Sequence, residues 1–162
     1  MAYHDDLIEH ASSLNLPDDL KLWDNPRQVD LRRAVSAAYY ALFHLLTTEA
    51  AQNWKHESQR SRFARMYDHR KTKDCSSKVS SRPVPSDPAE IPIARNLKLV
   101  AASFVKLQEA RHTADYDNSR VWSRTQVAET IVRAQEAMDA WMAIREKEMA
   151  QEYLLDLMGI RS

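Results

Sequence analysis

Arg111 and Asp115 form a pair whose residue types and spacing could do chemistry. They are four residues apart, so a helix would place the guanidinium and the carboxylate on adjacent turns. Arg111 also continues a series of buried apolar positions, where an unpaired guanidinium would be costly. The pair is either an inward structural clamp or a phosphate-binding site. Tyr116, which follows directly, is a further candidate for binding.

A second group of polar residues comprises Arg33, Tyr40 and His44. Their separations of seven and four place them on one face of a helix, beside its apolar residues. Side chains at such a margin either form hydrogen bonds between helices or bind a ligand. Both interpretations stay open.

A third candidate pair, Arg62 and His69, lies within a basic segment. Residues 55–82 contain nine basic and three acidic residues, a net charge of +6, whereas the whole chain has a net charge of zero. The segment is either a solvated surface or a site for phosphate or an acidic partner. The overall balance argues against a protein that coats nucleic acid generally.

Most catalytic motifs are absent from the sequence. It has no glycine-rich phosphate loop, no paired cysteines, no His-Glu-x-x-His and no Gly-x-Ser-x-Gly. The six histidines are dispersed, and Cys75 is interpreted as an ordinary thiol. We therefore predict no metal site and no cofactor.

Composition predicts one all-α domain over residues 1–162. Gly159 is the only glycine, and residues that favour helices are plentiful. A single cysteine excludes an intrachain disulfide and suits a reducing compartment. No apolar stretch approaches the ~18 residues of a membrane span. The N-terminus carries Asp5, Asp6 and Glu9 where a signal peptide would be basic and apolar, so we expect a cytoplasmic protein without a membrane partner.

Apolar spacing and turn residues give the order of the elements. A short amphipathic helix ends at residues 15–17, and a long one runs from Asn25-Pro26 to about Trp54, followed by a polar helix over 56–69. Residues 70–88, rich in Lys, Ser and Pro, predict a mobile loop. The next helix begins near Ala89. The predicted core positions of the two long helices are Leu31, Val35, Ala38, Leu42, Leu45, Ile93, Leu97, Val100, Phe104 and Leu107.

The last helix has a clear start and an ambiguous end. Ser123 and Gln126 have the spacing of a capping box, with Trp122 and Val127 placed as a hydrophobic staple. An unbroken helix from 124 to 158 would span ~50 Å, too long for this domain. We therefore expect either a bend near Met149 or a tail projecting over 149–158. The inward residues are Val127, Ile131, Ala134, Met138 and Trp141.

Two stretches of the sequence, one in the second helix and one near Arg111, resemble the HEPN family (higher eukaryotes and prokaryotes nucleotide-binding). The matching pieces are residues 31–44, which read LRRAVSAAYYALFH, and Arg111 with residues 114–117, which read ADYD. The resemblance implies an antiparallel bundle of four to five helices that commonly dimerises. Many members are metal-independent RNases, often toxins paired with a minimal nucleotidyltransferase antitoxin.

The active site that the resemblance implies uses an arginine followed after four to six residues by a histidine. Counted from Arg111, the corresponding positions hold Tyr116, Asp117 and Asn118. Catalysis would therefore need other residues. The candidates are Arg111 with His44 as a displaced base, or Arg62 with His69.

Two functions follow as hypotheses. The first is a HEPN-like binding or interaction module, a homodimer that forms one component of a toxin–antitoxin-type pair with a nucleotidyltransferase. The alternative is a homodimeric, metal-independent endoribonuclease that acts on RNA. A nucleotide-binding role is weaker because the phosphate loop is absent.

Overall fold

The computed structural model describes residues 2–16 and 25–159 and is all-helical within them. It contains seven helices and no strand in these ranges, which confirms the predicted all-α class. None of these helices is both long and apolar enough to cross a membrane. The helices are α1 (Tyr3–Asn15), α2 (Gln28–Gln52), α3 (Glu57–Ala64), α4 (His69–Ser80), α5 (Ile91–Tyr116), α6 (Arg124–Ile144) and α7 (Glu148–Leu157).

The two long helices α2 and α5 pack against each other, and the other helices pack around them. Helix α6 contacts both, α1 lies against α2 and α6, and α4 and α7 contact each other and α5. The predicted inward residues of α2 are all buried, with Leu31, Val35 and Leu42 fully inaccessible. Burying such side chains stabilises the fold by about 1.5–3 kcal/mol each, so this interface is a principal source of stability.

The apolar positions predicted for α5 and α6 are also confirmed. In α5 the residues from Leu97 to Leu107 on the predicted face are buried, with Ile93 partly buried at the edge of the core. The capping box is present at the start of α6, where the Ser123 hydroxyl accepts from the Gln126 N–H and the Gln126 side chain accepts from the Ser123 N–H. Trp122 and Val127, the predicted staple, are both buried.

The prediction of a loop over 70–88 was wrong for its first part, because residues 69–80 form α4. Asp68 caps this helix by accepting a 2.9 Å hydrogen bond from the Lys71 N–H. Its buried face consists of Thr72, Ser76 and Val79, at spacings of four and three. Thr72 and Ser76 are small and polar, so this face lacks the apolar periodicity from which the other helices were predicted. The helix was missed for that reason. The proline-containing remainder, 81–90, is not helical.

The C-terminal segment does not project from the domain. Helix α6 ends at Ile144, and α7 begins at Glu148, so the chain bends just before the predicted Met149. Four residues of α7 at helical spacing are buried, which returns the segment to the core. They are Ala150, Tyr153, Leu154 and Leu157.

Two other boundaries differ from the prediction. The second helix begins at Gln28, with Arg27 as its N-cap, rather than at Asn25-Pro26. The sequence allowed either Asn25 or Asp24 to cap the predicted helix, and Asp24 lies outside the described residues. The predicted polar helix over 56–69 is shorter, since α3 ends at Ala64, and none of its residues is buried.

Candidate functional site

Arg111 is the centre of a polar and aromatic cluster between α5 and α2. Its Nη2 donates a 2.9 Å hydrogen bond to the Tyr40 hydroxyl, and its Nε lies 2.8 Å from Oδ2 of Asp115 in an ion pair. The Arg111 side chain is 17% exposed and that of Asp115 31%. The predicted pairing across one helical turn is therefore present at the margin of the core.

Asp115 is held from α2 as well as from α5. The Ser36 hydroxyl donates a 2.5 Å hydrogen bond to Oδ1, while Oδ2 faces Arg111. The carboxylate thus joins a residue of its own helix to a residue of the neighbouring one. A charged acceptor strengthens such hydrogen bonds, so Asp115 ties the two helices together where α5 approaches its end.

Three tyrosine rings surround the Arg111 guanidinium. Its central carbon lies 5.5 Å from the ring centre of Tyr40, 5.8 Å from that of Tyr116 and 6.0 Å from that of Tyr39. These distances permit cation–π attraction, which compensates in part for the water that a half-buried guanidinium gives up. Tyr116 is itself 66% exposed and forms the solvent side of the cluster.

His69, the first residue of α4, belongs to the same cluster. Its Nδ1 shares a 2.6 Å hydrogen bond with the Tyr39 hydroxyl, and its ring centre lies 4.4 Å from that of Phe43. Burial, and then the charge of Arg111, lower the pKa of His69, with Asp68 opposing the shift. Burial raises the pKa of Tyr39, so its phenol stays protonated at neutral pH. We name this set of residues the Arg111 cluster: Ser36, Tyr39, Tyr40, His69, Arg111 and Asp115.

His44 lies at the edge of this cluster, with its ring centre 6.0 Å from that of Tyr40. The Tyr3 ring packs edge-on against it at 5.0 Å. Burial lowers the pKa of His44, with the neighbouring His69 and His4 contributing in the same direction. Neutral imidazoles can accept a proton, so His44 and His69 retain the chemistry of a general base.

The structure therefore combines members of groups that the sequence kept apart. The site contains Arg111, Asp115 and Tyr116 of α5. Tyr40 of α2 contacts Arg111, His44 packs beside Tyr40, and His69 of α4 lies close enough to Arg111 for its charge to lower the His69 pKa. Arg62 is exposed on α3 and shares no described hydrogen bond, ion pair or ring contact with His69. Arg33 is exposed and makes no hydrogen bond or ion pair within the described residues.

Arg32 is a residue that sequence reasoning missed, as are Ser36 and Tyr39 of the cluster itself. Its guanidinium donates to the carbonyl oxygens of Ala114 at 2.8 Å, Asp117 at 2.9 Å and Arg120 at 2.6 Å. It thereby satisfies carbonyls at the C-terminal end of α5, where the helix supplies no partner, and in the turn that follows. Spacing alone did not distinguish Arg32 from its neighbour Arg33.

Gln28, one turn before Arg32 on α2, binds the segment between α5 and α6 close to the start of α6. Its side-chain amide donates to the Trp122 carbonyl and accepts from the Trp122 N–H, both at 2.8 Å. The beginning of α2 thus holds the segment between α5 and α6 at several points. This support positions Asp115 and Tyr116 relative to α2.

Metal ligation and thiol chemistry have little support in the described part of the chain. No three His, Cys, Asp or Glu side chains within it are placed to hold a metal ion. Cys75 is half-buried, and burial raises its pKa to about 11, so the thiolate that a nucleophile requires is disfavoured.

Comparisons with known proteins show no relationship for this chain. No protein-family model matches the sequence, and no curated protein or solved structure is significantly similar to it. The HEPN resemblance accordingly rests on residues 31–44 and on Arg111 with residues 114–117.

Proposed function

We propose that this chain is a HEPN-like interaction module: a homodimer that works as one component of a toxin–antitoxin-type pair with a minimal nucleotidyltransferase. The resemblance is carried by two separate stretches, and these stretches contact each other in three dimensions. Arg111 binds Tyr40, Asp115 binds Ser36, and Arg32 binds the Ala114 carbonyl. Such mutual contacts support treating both stretches as parts of one motif.

The engagement of Arg111 is the observation that favours a binding module over a nuclease. An arginine that binds the scissile phosphate needs guanidinium donors available to the substrate. Here Asp115 neutralises the charge at 2.8 Å, and Tyr40 occupies Nη2. The positions at which the family pattern places a histidine after Arg111 hold Tyr116, Asp117 and Asn118 instead. The cluster is therefore better suited to ordering an exposed surface around Tyr116 than to cleaving RNA.

Partner binding can be tested with the nucleotidyltransferase that a neighbouring reading frame would encode. We expect the two proteins to co-purify when they are co-expressed, and this chain alone to have the mass of a dimer in light scattering. Tyr116→Ala should weaken the complex, because it removes an exposed ring beside the cluster. Leu99→Ala, at an exposed apolar residue of the same helix, is the matched control. A monomer that fails to retain the nucleotidyltransferase would contradict the proposal.

A metal-independent endoribonuclease is the second candidate, and the position of His69 favours it. Attack by a 2′-hydroxyl requires a base and a cation that stabilises the developing negative charge. In this cluster the neutral imidazole of His69 would be the base, and Arg111 would be the cation. In this case Asp115 would have to release Arg111 when RNA binds. His44 would be an alternative base, whereas Arg62 lies apart from the cluster.

Incubation with total RNA in the presence of EDTA separates the two candidates. The interaction module predicts intact RNA with the parent protein. Cleavage that is abolished by Arg111→Ala and by His69→Ala, but not by Arg95→Ala, would establish the nuclease instead. Arg95 is an exposed arginine of the same helix and controls for a general loss of positive charge.

A further inference from the structure

A cavity of about 180 Å³ lies between the end of α4, the 81–90 segment and the neighbouring parts of α5 and α7. Its lining comes from all four of these elements. The floor is buried and apolar, and the sides are formed by two prolines and a methionine. These apolar residues are Val79, Ala94, Leu97, Pro83, Pro85 and Met149.

The size of the cavity sets the size of what it can hold. An apolar cavity of about 150 Å³ is large enough to bind benzene. The cavity here therefore has room for one phenyl ring or a branched aliphatic group of similar volume. Its floor residues Ala94 and Leu97 are 6% and 3% exposed, so a ligand that fills it would bury its apolar part against the core.

Charged residues line the cavity beside this apolar floor. Arg82 is already ion-paired with Asp156 at 2.9 Å. Lys98 is half-buried on α5 and makes no hydrogen bond or ion pair with any other described residue. Glu152 also lines the cavity but is exposed, so water and salt screen its charge more strongly than that of Lys98. Lys98 is thus the group that an anion would complement best.

We propose that this cavity binds a small organic acid whose apolar group is a phenyl ring or a branched aliphatic chain. The apolar group occupies the space above Ala94 and Leu97, and the carboxylate pairs with the Lys98 ammonium. The apolar contact supplies most of the affinity, and the single charged contact orients the ligand and rejects neutral analogues. Arg82 stays paired with Asp156, so Lys98 is the cation that receives the carboxylate.

The cavity is separate from the Arg111 cluster. Lys98 and Arg111 are thirteen residues apart on the continuous helix α5, which corresponds to about 20 Å along its axis. Ligand binding is therefore independent of the function proposed above, and either can fail without the other. The acid would also bridge α4, α5 and α7, so we expect it to raise the melting temperature.

The first experiment compares 3-phenylpropionate with 3-phenylpropan-1-ol by isothermal titration calorimetry and ligand-observed NMR. These molecules share the phenyl ring and chain length, and only one carries the carboxylate. We expect saturable 1:1 binding of the acid, at least about tenfold tighter than binding of the alcohol, because a hydrogen bond between two charged groups is stronger than one to a neutral hydroxyl. Equal affinities, or no saturable binding of the acid, would overturn the proposal.

The second experiment places the ligand in this cavity. Lys98→Met keeps the length and apolar stem of the side chain while removing its charge, and it should weaken binding of the acid about tenfold. Lys106→Met, at an exposed lysine of the same helix, should leave binding unchanged. Circular dichroism melts establish that both variants are folded. Unchanged affinity in a folded Lys98→Met protein would show that the acid binds elsewhere and would refute the assignment.

Discussion

Ser36 donates a 2.5 Å hydrogen bond to the carboxylate of Asp115, so the group that neutralises Arg111 is fixed from a second helix. A simple i, i+4 ion pair on one helix would stabilise that helix by only ~0.2–0.5 kcal/mol. Here the same pair also connects α5 to α2 through Ser36 and Tyr40. Its loss should therefore affect the packing between helices as well as the end of α5.

Replacing Asp115 tests whether the pair is a structural clamp. Asp115→Ala leaves a half-buried Arg111 without its counter-ion. Breaking a fully buried pair costs about 3–5 kcal/mol. Both side chains retain some access to water, so we expect a smaller loss of about 1–3 kcal/mol in the free energy of unfolding, measured by urea denaturation.

Glu109→Ala is the control for the Asp115 substitution. Glu109 lies on the same helix and pairs with Lys73 at 3.1 Å, but its side chain is 58% exposed. We expect a change of less than about 0.5 kcal/mol. Replacing Arg111 and Asp115 together by Met and Leu should be milder than Asp115→Ala alone, because no uncompensated charge remains. An Asp115→Ala protein as stable as the Glu109→Ala protein would rule out the clamp.

Arg32 and Arg33 provide a second comparison, between adjacent residues of the same type. Arg32→Ala removes three hydrogen bonds to carbonyl oxygens at the end of α5 and in the turn that follows. We expect it to lower the free energy of unfolding by about 2–3 kcal/mol. Each hydrogen bond from the charged guanidinium contributes to stability, but water can partly replace these bonds at the exposed carbonyls. Arg33→Ala should change it by less than about 0.5 kcal/mol. Equal effects would contradict the assigned contacts.

The sequence correctly predicted the helices whose apolar residues recur at helical spacing, because those residues form the face that is buried. The stripe from Leu31 to Leu45 and the stripe from Val127 to Trp141 are both buried, because their helices pack one continuous apolar face against the core. The start of α6 was also predictable, since Ser123 and Gln126 act locally through their spacing. These features depend only on neighbours along the chain.

Helix α4 and the full set of residues in the candidate site could not be predicted, because both depend on contacts between residues far apart in the sequence. Ser76 lies on a buried face because its hydroxyl has a partner at 2.8 Å in Tyr153, seventy-seven residues later, and no local pattern shows this. The candidate site has the same character. Arg111 and Asp115 were predictable as a pair, whereas the addition of Ser36 and His69 required the packing of α2 and α4 against α5.

Tyr153 tests whether α7 belongs to the core or is a dispensable tail. Its side chain is fully buried, and its hydroxyl is paired with Ser76. Tyr153→Ala should cost about 3–5 kcal/mol, as large aromatic truncations in cores do. Leu155→Ala, two residues later and 49% exposed, should cost less than about 0.5 kcal/mol. Similar melting temperatures for the two variants would support a projecting tail instead.

The stability of the protein should fall as the pH decreases from about 7 to 5. Burial lowers the pKa of His69 and His44 in the folded state, so the unfolded chain, whose histidines titrate near 6.5, binds protons first. The two histidines do not lower the stability above about pH 6.5. The loss of stability develops as the pH falls from there toward their lowered pKa values in the folded state. The carboxylates with lowered pKa, Asp68 and Asp117, act only at more acidic pH, because their ordinary value is 3.8.

Urea midpoints at pH 7.5, 6.5 and 5.5 measure this dependence. His69→Gln removes one of the two histidines whose pKa burial lowers, so the decrease in midpoint between pH 7.5 and 5.5 should be smaller than in the parent protein. His112→Gln, at an exposed histidine of α5, should leave the decrease in place. The comparison uses differences within each protein, so any loss of stability from the missing Tyr39 hydrogen bond cancels. A decrease of the same size in His69→Gln would show that His69 is not buried in its neutral form.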